Sequence, residues 1–379
     1  MSRRMTVSVI KADVGSIGGH TKPSEAMLDV VCADVQRAVD DGKLIDFIVT
    51  HTGDDIAIIM SHEHGKGAHL VHQFAWQCFL DATQSARKDG CYAAGQDLLV
   101  DAPSGNIRGA GPAVAEIEFT LLPEYRPAEA FMVFAADKCG PGAYNMPFYL
   151  TFCDPMHNGG LLLSPKLHQG FTLGIMDMDY QRTDRDSLIY LDVPERVWDV
   201  AALLRDTDRF AIEEICSRAY PAEQVAAISA TRLHNIAGKY TGKDDPIALV
   251  RVQGIFPAPE EMVEAWMLGH FVTGDARGSH VMPIMPVAIN TPVAGPYCLP
   301  IVSCLTFSMD KDGHFSREYV DVFGDKSWDA ARLRIQEKAY EWRRQGFFGP
   351  TMAAKSELAY TGIVDTLNCL EKEFIDRQN

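Results

Sequence analysis

The sequence predicts an α+β fold, and three observations carry that expectation. The first 140 residues alternate short β-rich runs with patterns of helical period. The remainder stays mixed, with strand signals near Ile247–Val252 and Ile301–Phe307 and helical ones over Trp328–Gln345 and Thr361–Phe374. The 379 residues are 47% hydrophobic and 23% charged, ordinary globular proportions that disfavour disorder, collagen-like repeats and coiled coil. No internal repeat, Ser/Gly linker or charge block marks a boundary, so a single domain over residues 1–379 is expected.

Thr6 to Ala12 (TVSVIKA) has strand composition and runs into Asp13. Pro23 begins a helix reaching Asp41, with proline near the first turn and Gly42 just beyond the end. Phe47–Val49 and Ile56–Met60 flank HTGDD, the pattern of a hairpin or a bent strand pair. Leu70, Val71, Phe74, Cys78 and Phe79 recur at helical spacing, which predicts an amphipathic helix from Gly67 to Lys88. GQDLLVDAPSGNIRGAGP follows, with four glycines and two prolines in eighteen residues. That is too irregular for a helix or strand, and a loop so long in a compact protein usually has a function. Strands are then predicted at Val114–Leu121 and Ala130–Ala136.

Charge narrows the function. Thirty-five Lys and Arg against 51 Asp and Glu give a net charge of −16, which argues against nucleic-acid or anionic-membrane partners. No apolar run approaches the ~20 residues of a membrane helix. The segment MSRRMTVSVIKAD lacks a signal-peptide core. Nine scattered cysteines with no CxxC fit reduced thiols in the cytoplasm and no paired-cysteine zinc site.

The aspartates are the most informative residues. Asp13 follows the first strand, Asp54 and Asp55 sit in a turn, Asp137 ends FMVFAAD, and Asp244 and Asp245 lie in GKYTGKDDP. Carboxylates at strand ends converge on one edge of a sheet, and such a crowd needs cations, for which hard oxygen ligands suit Mg²⁺. Each Asp-Asp pair alone is equally at home as turn chemistry. Lys243, beside the second pair, reads either as a solvated ammonium or as an amine whose neutral form metal-bound aspartates would favour. Tyr240 lies three residues earlier as a proton-transfer partner. His62, His64, His69 and His72 lack a third ligand at diagnostic spacing, and HExxH is absent. His20 differs, because Gly15, Gly18 and Gly19 let the backbone fold close to a ligand near Asp13. No GxGxxG, P-loop or GxSxG motif occurs.

Taken in order, SVIKADVGSIGGH, THTGDD, YAAGQDLL with SGNIRG, ADKCGPGAYNMP, IAGKYTGKDDP, RVQG and RGSHVMPIMPV resemble the bifunctional fructose-1,6-bisphosphate aldolase/phosphatase family, the archaeal-type class V fructose-1,6-bisphosphatases. The match runs from residue 7 to about 290, with a weaker C-terminal part ending near Tyr360. The resemblance implies several Mg²⁺ ions per subunit, held by Asp13, His20, Asp54, Asp55, Gln96, Asp137, Asp244 and Asp245. It implies Lys243 as the Schiff-base lysine, Tyr240 as the aldolase acid/base and Asp13 as the phosphatase base. Sugar-phosphate contacts would fall on His20, Tyr92, Gly105, Asn106, Lys138, Gln253, Gly254, Arg277 and Tyr360. The implied fold is one unit of stacked α-β-β-α layers, assembled as a cytoplasmic homo-octamer.

The implied activity is gluconeogenic and has two steps. Dihydroxyacetone phosphate and glyceraldehyde 3-phosphate condense through a Schiff base, and the 1-phosphate of the resulting fructose 1,6-bisphosphate is hydrolysed to leave fructose 6-phosphate. Two positions depart from the family. A substrate-binding aspartate aligns with Ala294, and a C-terminal Glu-Tyr pair reads Ala359-Tyr360. The alternatives are a Mg²⁺-dependent sugar bisphosphatase without aldolase activity and a catalytically silent sugar-phosphate-binding protein.

Overall fold

The computed structural model describes residues 3–93, 98, 111–122, 124, 126, 128–178, 187–221, 223–229, 243–274, 280–295, 299–344 and 363–376. β1 (Arg3–Asp13), β2 (Asp46–Thr52), β3 (Asp55–His62) and β4 (Ala113–Leu121) form an antiparallel sheet in the order β2-β3-β1-β4. The helices α1 (Glu25–Asp40) and α2 (His69–Lys88) cover its outer face. Ser24, rather than Pro23, opens α1, its hydroxyl accepting from the Met27 N–H. Met27, Val31, Val35 and Ala38 repeat along one stripe of α1 and pack with Val71, Ala75, Phe79 and Ala82 of α2 over Ile10, Ile56 and Ile58.

A second sheet is larger. β5 (Glu129–Asp137), β6 (Phe171–Asp177), β7 (Ser187–Val193), β8 (Phe210–Ser217), β9 (Gln224–Ile228) and β10 (Ile247–Val252) form most of it. β11 (Phe271–Gly274) and β12 (His280–Pro283) make a separate ribbon. β13 (Met285–Pro286), β14 (Ile301–Met309), β15 (Val320–Asp321) and β16 (Ile375–Asp376) complete the large sheet, whose order is β13-β14-β5-β10-β9-β8-β6-β7-β16 with β15 on β14. Phe134 and Met132 on its far face pack under α3 (Asn145–Cys153) and α5 (Val197–Leu204), with Trp266 stacked on Phe134 at 5.5 Å. α4 (Gly159–Leu163) lies just beyond α3.

The two sheets meet face to face. Met5, Val7 and Val9 of β1 share one apolar cluster with Phe131, Val133 and Ala135 of β5, Ile247 and Leu249 of β10, and Leu305 and Phe307 of β14. Helices thus pack on the outer face of the small sheet and on the far face of the large one, and the chain is α+β as expected.

Strand alternation then decides what lies at the end of this inter-sheet core. Two residues past Val9 the same face of β1 carries Lys11, and two further on Asp13. In β5 the face of Phe131, Val133 and Ala135 ends in Asp137. In β3, Asp55 shares the face of Ile59 and sits directly opposite Asp13. Ala135 is opposite Ile247, and Asp137 and Asp245 each lie two residues beyond that last pair of the ladder. The apolar core thus opens at one end into a mouth of aspartates contributed by both sheets.

Three expectations are revised in detail. The hairpin strands extend to Thr52 and back to Asp55, because polar His51 and Thr52 continue the ladder that an apolar pattern shows only to Val49. The C-terminal helix, described from Ile363, ends at Leu370 rather than Phe374, and the chain turns out into β16, which pairs with β7. Trp328 belongs to a short 3₁₀ turn preceding the helix Asp329–Arg344. Among the described residues, no helix is long and apolar enough to cross a membrane.

Candidate functional site

The HTGDD turn is built around one glycine. Gly53 has φ 58°, and a Cβ there would lie 1.6 Å from the Asp137 Oδ2. The turn of the small sheet is pressed that closely against the last residue of β5, so Asp54, Asp55 and Asp137 gather at one point. One oxygen from each of the three lies within 4.8 Å of the others. A second group, equally tight, joins Asp13, His20 and Asp54. His20 arrives on the glycine-rich loop after β1, with Nδ1 3.2 Å from Asp54 Oδ2 and 3.9 Å from Asp13 Oδ2. Its ring stands edge-on to Tyr92, whose backbone pairs with Ser16 to close that loop.

Asp245 is held from the large sheet. Its N–H donates to the Cys139 carbonyl at 2.8 Å, and its carboxylate accepts from the Cys139 N–H at 2.9 Å. Tyr144 fixes the following residue by donating to the Pro246 carbonyl at 2.8 Å. Lys138 and Asp245 both have positive φ, 63° and 48°. Left-handed non-glycine residues cost ~1–3 kcal/mol each and cluster at working sites.

Three lysines enter the cluster, and all are buried. Lys11, 1% exposed, pairs with Asp55. Lys138 reaches Asp54 at 2.7 Å and Asp137 at 2.9 Å. Lys243, 3% exposed, reaches Asp244 at 3.0 Å. Burial would lift the Asp54 carboxyl, but Lys138 and His20 outweigh it and hold Asp54 well below the usual carboxylate range. Asp137 goes the other way, raised well above its ordinary value by burial and by Asp54, Asp55 and Asp245, against the pull of Lys138. Burial, Asp55 and Asp244 together push Asp245 up to about 7. Lys138 stays protonated despite burial, because Asp137 and Asp54 face it.

The cluster fits a hard divalent cation. Among the described residues six aspartates face three lysines, so these ammonium groups alone leave the mouth negative. Both Asp137 oxygens are buried and, among the described residues, no hydrogen bond reaches either; Lys138 is near Oδ1 without the alignment of one. Acceptor oxygens held close together, one carboxylate without a donor, are what such an ion requires.

Asp13, His20, Asp54, Asp55, Asp137 and Lys138 thus come together, with Asp244, Asp245 and Lys243 beside them. Tyr92 borders the group through His20. Gln253 and Gly254 do not join it within one chain. They follow the other end of β10, about 20 Å away at ~3.3 Å per residue. Gln96, Gly105, Asn106, Tyr240, Arg277 and Tyr360 lie outside the described residues, as do Ala359 and most of the glycine-rich loop. The sequence reading missed Lys11. Its signal was a charged residue inside an apolar strand, two positions before Asp13 and so on the same face.

The sequence profile described as fructose-1,6-bisphosphatase matches residues 4–375. The chain belongs to the fructose-1,6-bisphosphatase family. Curated relatives in this family carry the name fructose-1,6-bisphosphate aldolase/phosphatase. The chain is 53% identical to the Thermus thermophilus protein over 371 residues, 98% of this chain and 99% of that one. It is 43% identical to the Cenarchaeum symbiosum protein, covering 98% and 95%, and 40% identical to that of Methanothermobacter marburgensis, covering 98% and 99%. Membership in a fructose-1,6-bisphosphatase family agrees with the carboxylate mouth, because hydrolysing a phosphate monoester calls for cations that spread charge over the transferring group.

Proposed function

We propose that this chain is a bifunctional fructose-1,6-bisphosphate aldolase/phosphatase that condenses dihydroxyacetone phosphate with glyceraldehyde 3-phosphate and then hydrolyses the 1-phosphate to leave fructose 6-phosphate. The observation that carries the reading is Lys243, buried beside Asp244 at the rim of the aspartate mouth. A lysine placed there joins amine chemistry to phosphate chemistry in one cavity.

The residues divide the work. Lys243 supplies the amine for the iminium, and it must be neutral to attack. Asp244 is its counter-charge at 3.0 Å, so an Asp244 engaged by a cation releases the lysine toward the free amine. Tyr240 moves the proton of the aldol step, and Asp13 accepts the proton of the attacking water. Lys138 offers a fixed ammonium to a phosphate, and Asp54 and Asp137 orient it. Mg²⁺ is the cation this donor set suits, held by Asp13, His20, Asp54, Asp55, Gln96, Asp137, Asp244 and Asp245; it supplies charge stabilisation for phosphoryl transfer. Gly105, Asn106, Gln253, Gly254, Arg277 and Tyr360 complete the sugar-phosphate contacts in this reading. The protein would work as a single-domain subunit of a cytoplasmic homo-octamer.

Borohydride trapping tests the proposal. With Mg²⁺ and dihydroxyacetone phosphate present, reduction should add mass irreversibly at Lys243, and Lys243→Arg should abolish both trapping and condensation. Tyr240→Phe should still trap but condense ~10²–10⁴-fold more slowly. Asp13→Ala should trap while releasing no phosphate. Trapping at another lysine, or at none, would leave a Mg²⁺-dependent sugar bisphosphatase.

A further inference from the structure

Asp54 and Asp55 belong to the small sheet and Asp137 to the large one; Lys138 bridges Asp54 and Asp137 inside the cluster, and a second tie between the sheets lies beside it. The segment after β13 is that tie. Its root is tied to the large sheet, where the Val287 N–H donates to Val302 at 2.8 Å and the Ile289 N–H to Asp321 Oδ2 at 3.1 Å. Its tip then grips the small sheet and the loop after β1 with four hydrogen bonds. The Asn290 N–H donates to the His51 carbonyl at 2.8 Å, and the His51 N–H returns a bond to Asn290 Oδ1 at 2.9 Å. The Gly53 N–H donates to Thr291, and the Val293 N–H to Thr21, each at 2.9 Å. Both acid-bearing pieces of the small sheet, the HTGDD turn and the loop that carries His20, hang on this one segment.

We infer that residues 289–293 form a positioning strap for the metal-binding turn and that Asn290 is its positioning residue. Asn290 must meet two demands. Its backbone is left-handed, φ 61°, and its side chain must present an acceptor to His51. Asparagine and aspartate are the residues that tolerate that backbone and carry a short acceptor. His51 is 4% exposed, so its N–H loses a partner that water does not easily replace. The consequence passes along two peptide bonds to Gly53 and Asp54.

The inference rests on the cation reading of the aspartate mouth, and the experiment separates the two. Mg²⁺ is titrated calorimetrically into the full-length protein and into Asn290→Gly and Asn290→Asp. Glycine keeps the left-handed backbone and removes only the acceptor; aspartate keeps both. Asn290→Gly should bind Mg²⁺ about fivefold to tenfold more weakly, the worth of one hydrogen bond. Asn290→Asp should stay within about twofold of the parent, by the same reckoning. Hydrogen exchange on the metal-free protein should show faster exchange at the His51 and Gly53 amides in Asn290→Gly alone. In the parent protein, which needs no mutation to fold, Mg²⁺ should slow exchange at those two amides. A parent that binds no Mg²⁺ overturns the cation reading. A parent that binds it while Asn290→Gly gives the same isotherm, or Asn290→Asp is as weak as glycine, overturns the strap.

Discussion

Gly53→Ala is the sharpest single perturbation of this site, and Gly42→Ala is its control. Both glycines are left-handed, with φ 58° and 71°. A Cβ on Gly42 would meet nothing within 4 Å, so alanine there pays only the backbone penalty, ~1–2 kcal/mol. A Cβ on Gly53 would fall 1.6 Å from Asp137 Oδ2 and 2.7 Å from Val293 Cγ2. Neither neighbour can yield freely, because Asp137 is fully buried at a strand end and Val293 is bonded to Thr21. Overpacking of this kind adds ~1–3 kcal/mol, which brings Gly53→Ala to roughly 2–5 kcal/mol. The relief available is to push Asp137 away from Asp54 and Asp55, so metal affinity should fall along with stability. Thermal melts with and without Mg²⁺, paired with calorimetric titration, check this. Gly42→Ala should lower the melting temperature by the smaller step and leave the isotherm unchanged. Equal destabilisation by the two alanines, with Mg²⁺ bound normally by both, would refute the close approach of the turn to Asp137.

Lys11→Met should cost about 3–5 kcal/mol in metal-free protein, since it leaves Asp55 buried without its ammonium partner. The double variant Lys11→Met/Asp55→Asn should melt higher than Lys11→Met, and a lower melting temperature would count against the pair. His62 makes stability depend on pH. Burial lowers it to about 4 from an ordinary 6.5, so the native state resists a proton that the unfolded chain accepts. Its contribution is complete above pH 6.5 and is lost as pH falls toward about 4. Melting temperatures across that window should fall less steeply in His62→Gln than in the parent. Excess chelator should abolish phosphate release from fructose 1,6-bisphosphate in a malachite-green assay, and full activity there would remove the cation from the mechanism.

The first 90 residues were legible because each surface element there has one apolar face. The stripe of α2 and the alternation of β1 follow the periods that burial imposes. α3 was not legible, because NMPFYLTFC is apolar nearly all round and carries no period. In the large sheet β5, β10 and β14 were legible as short β-rich runs, while β6 to β9 were not singled out. IALVRV is buried at every position, including Arg251, which pairs with Glu129 and Glu223. In the site, the aspartates could be read from strand ends and turns, but their convergence depends on register, which sets Asp13 against Asp55 and leads Asp137 toward Asp245. Asn290 gave no signal at all. Its role is a backbone angle and two bonds to a strand more than two hundred residues earlier in the chain.

The end of this sandwich that gathers the aspartates is held shut by Lys138 and by the segment after β13, and a bound cation would add a third tie between the same two leaves. Mass action would then decide how firmly that end stays closed. A cation at a hundred times its dissociation constant adds about 2.7 kcal/mol to the folded state. That is a sizeable share of the 5–15 kcal/mol that holds a typical domain together. Divalent ion supply would then govern how long the molecule lasts as well as how fast it turns over. Cells short of the ion would carry a protein that is opened, and cleared, from its active end first.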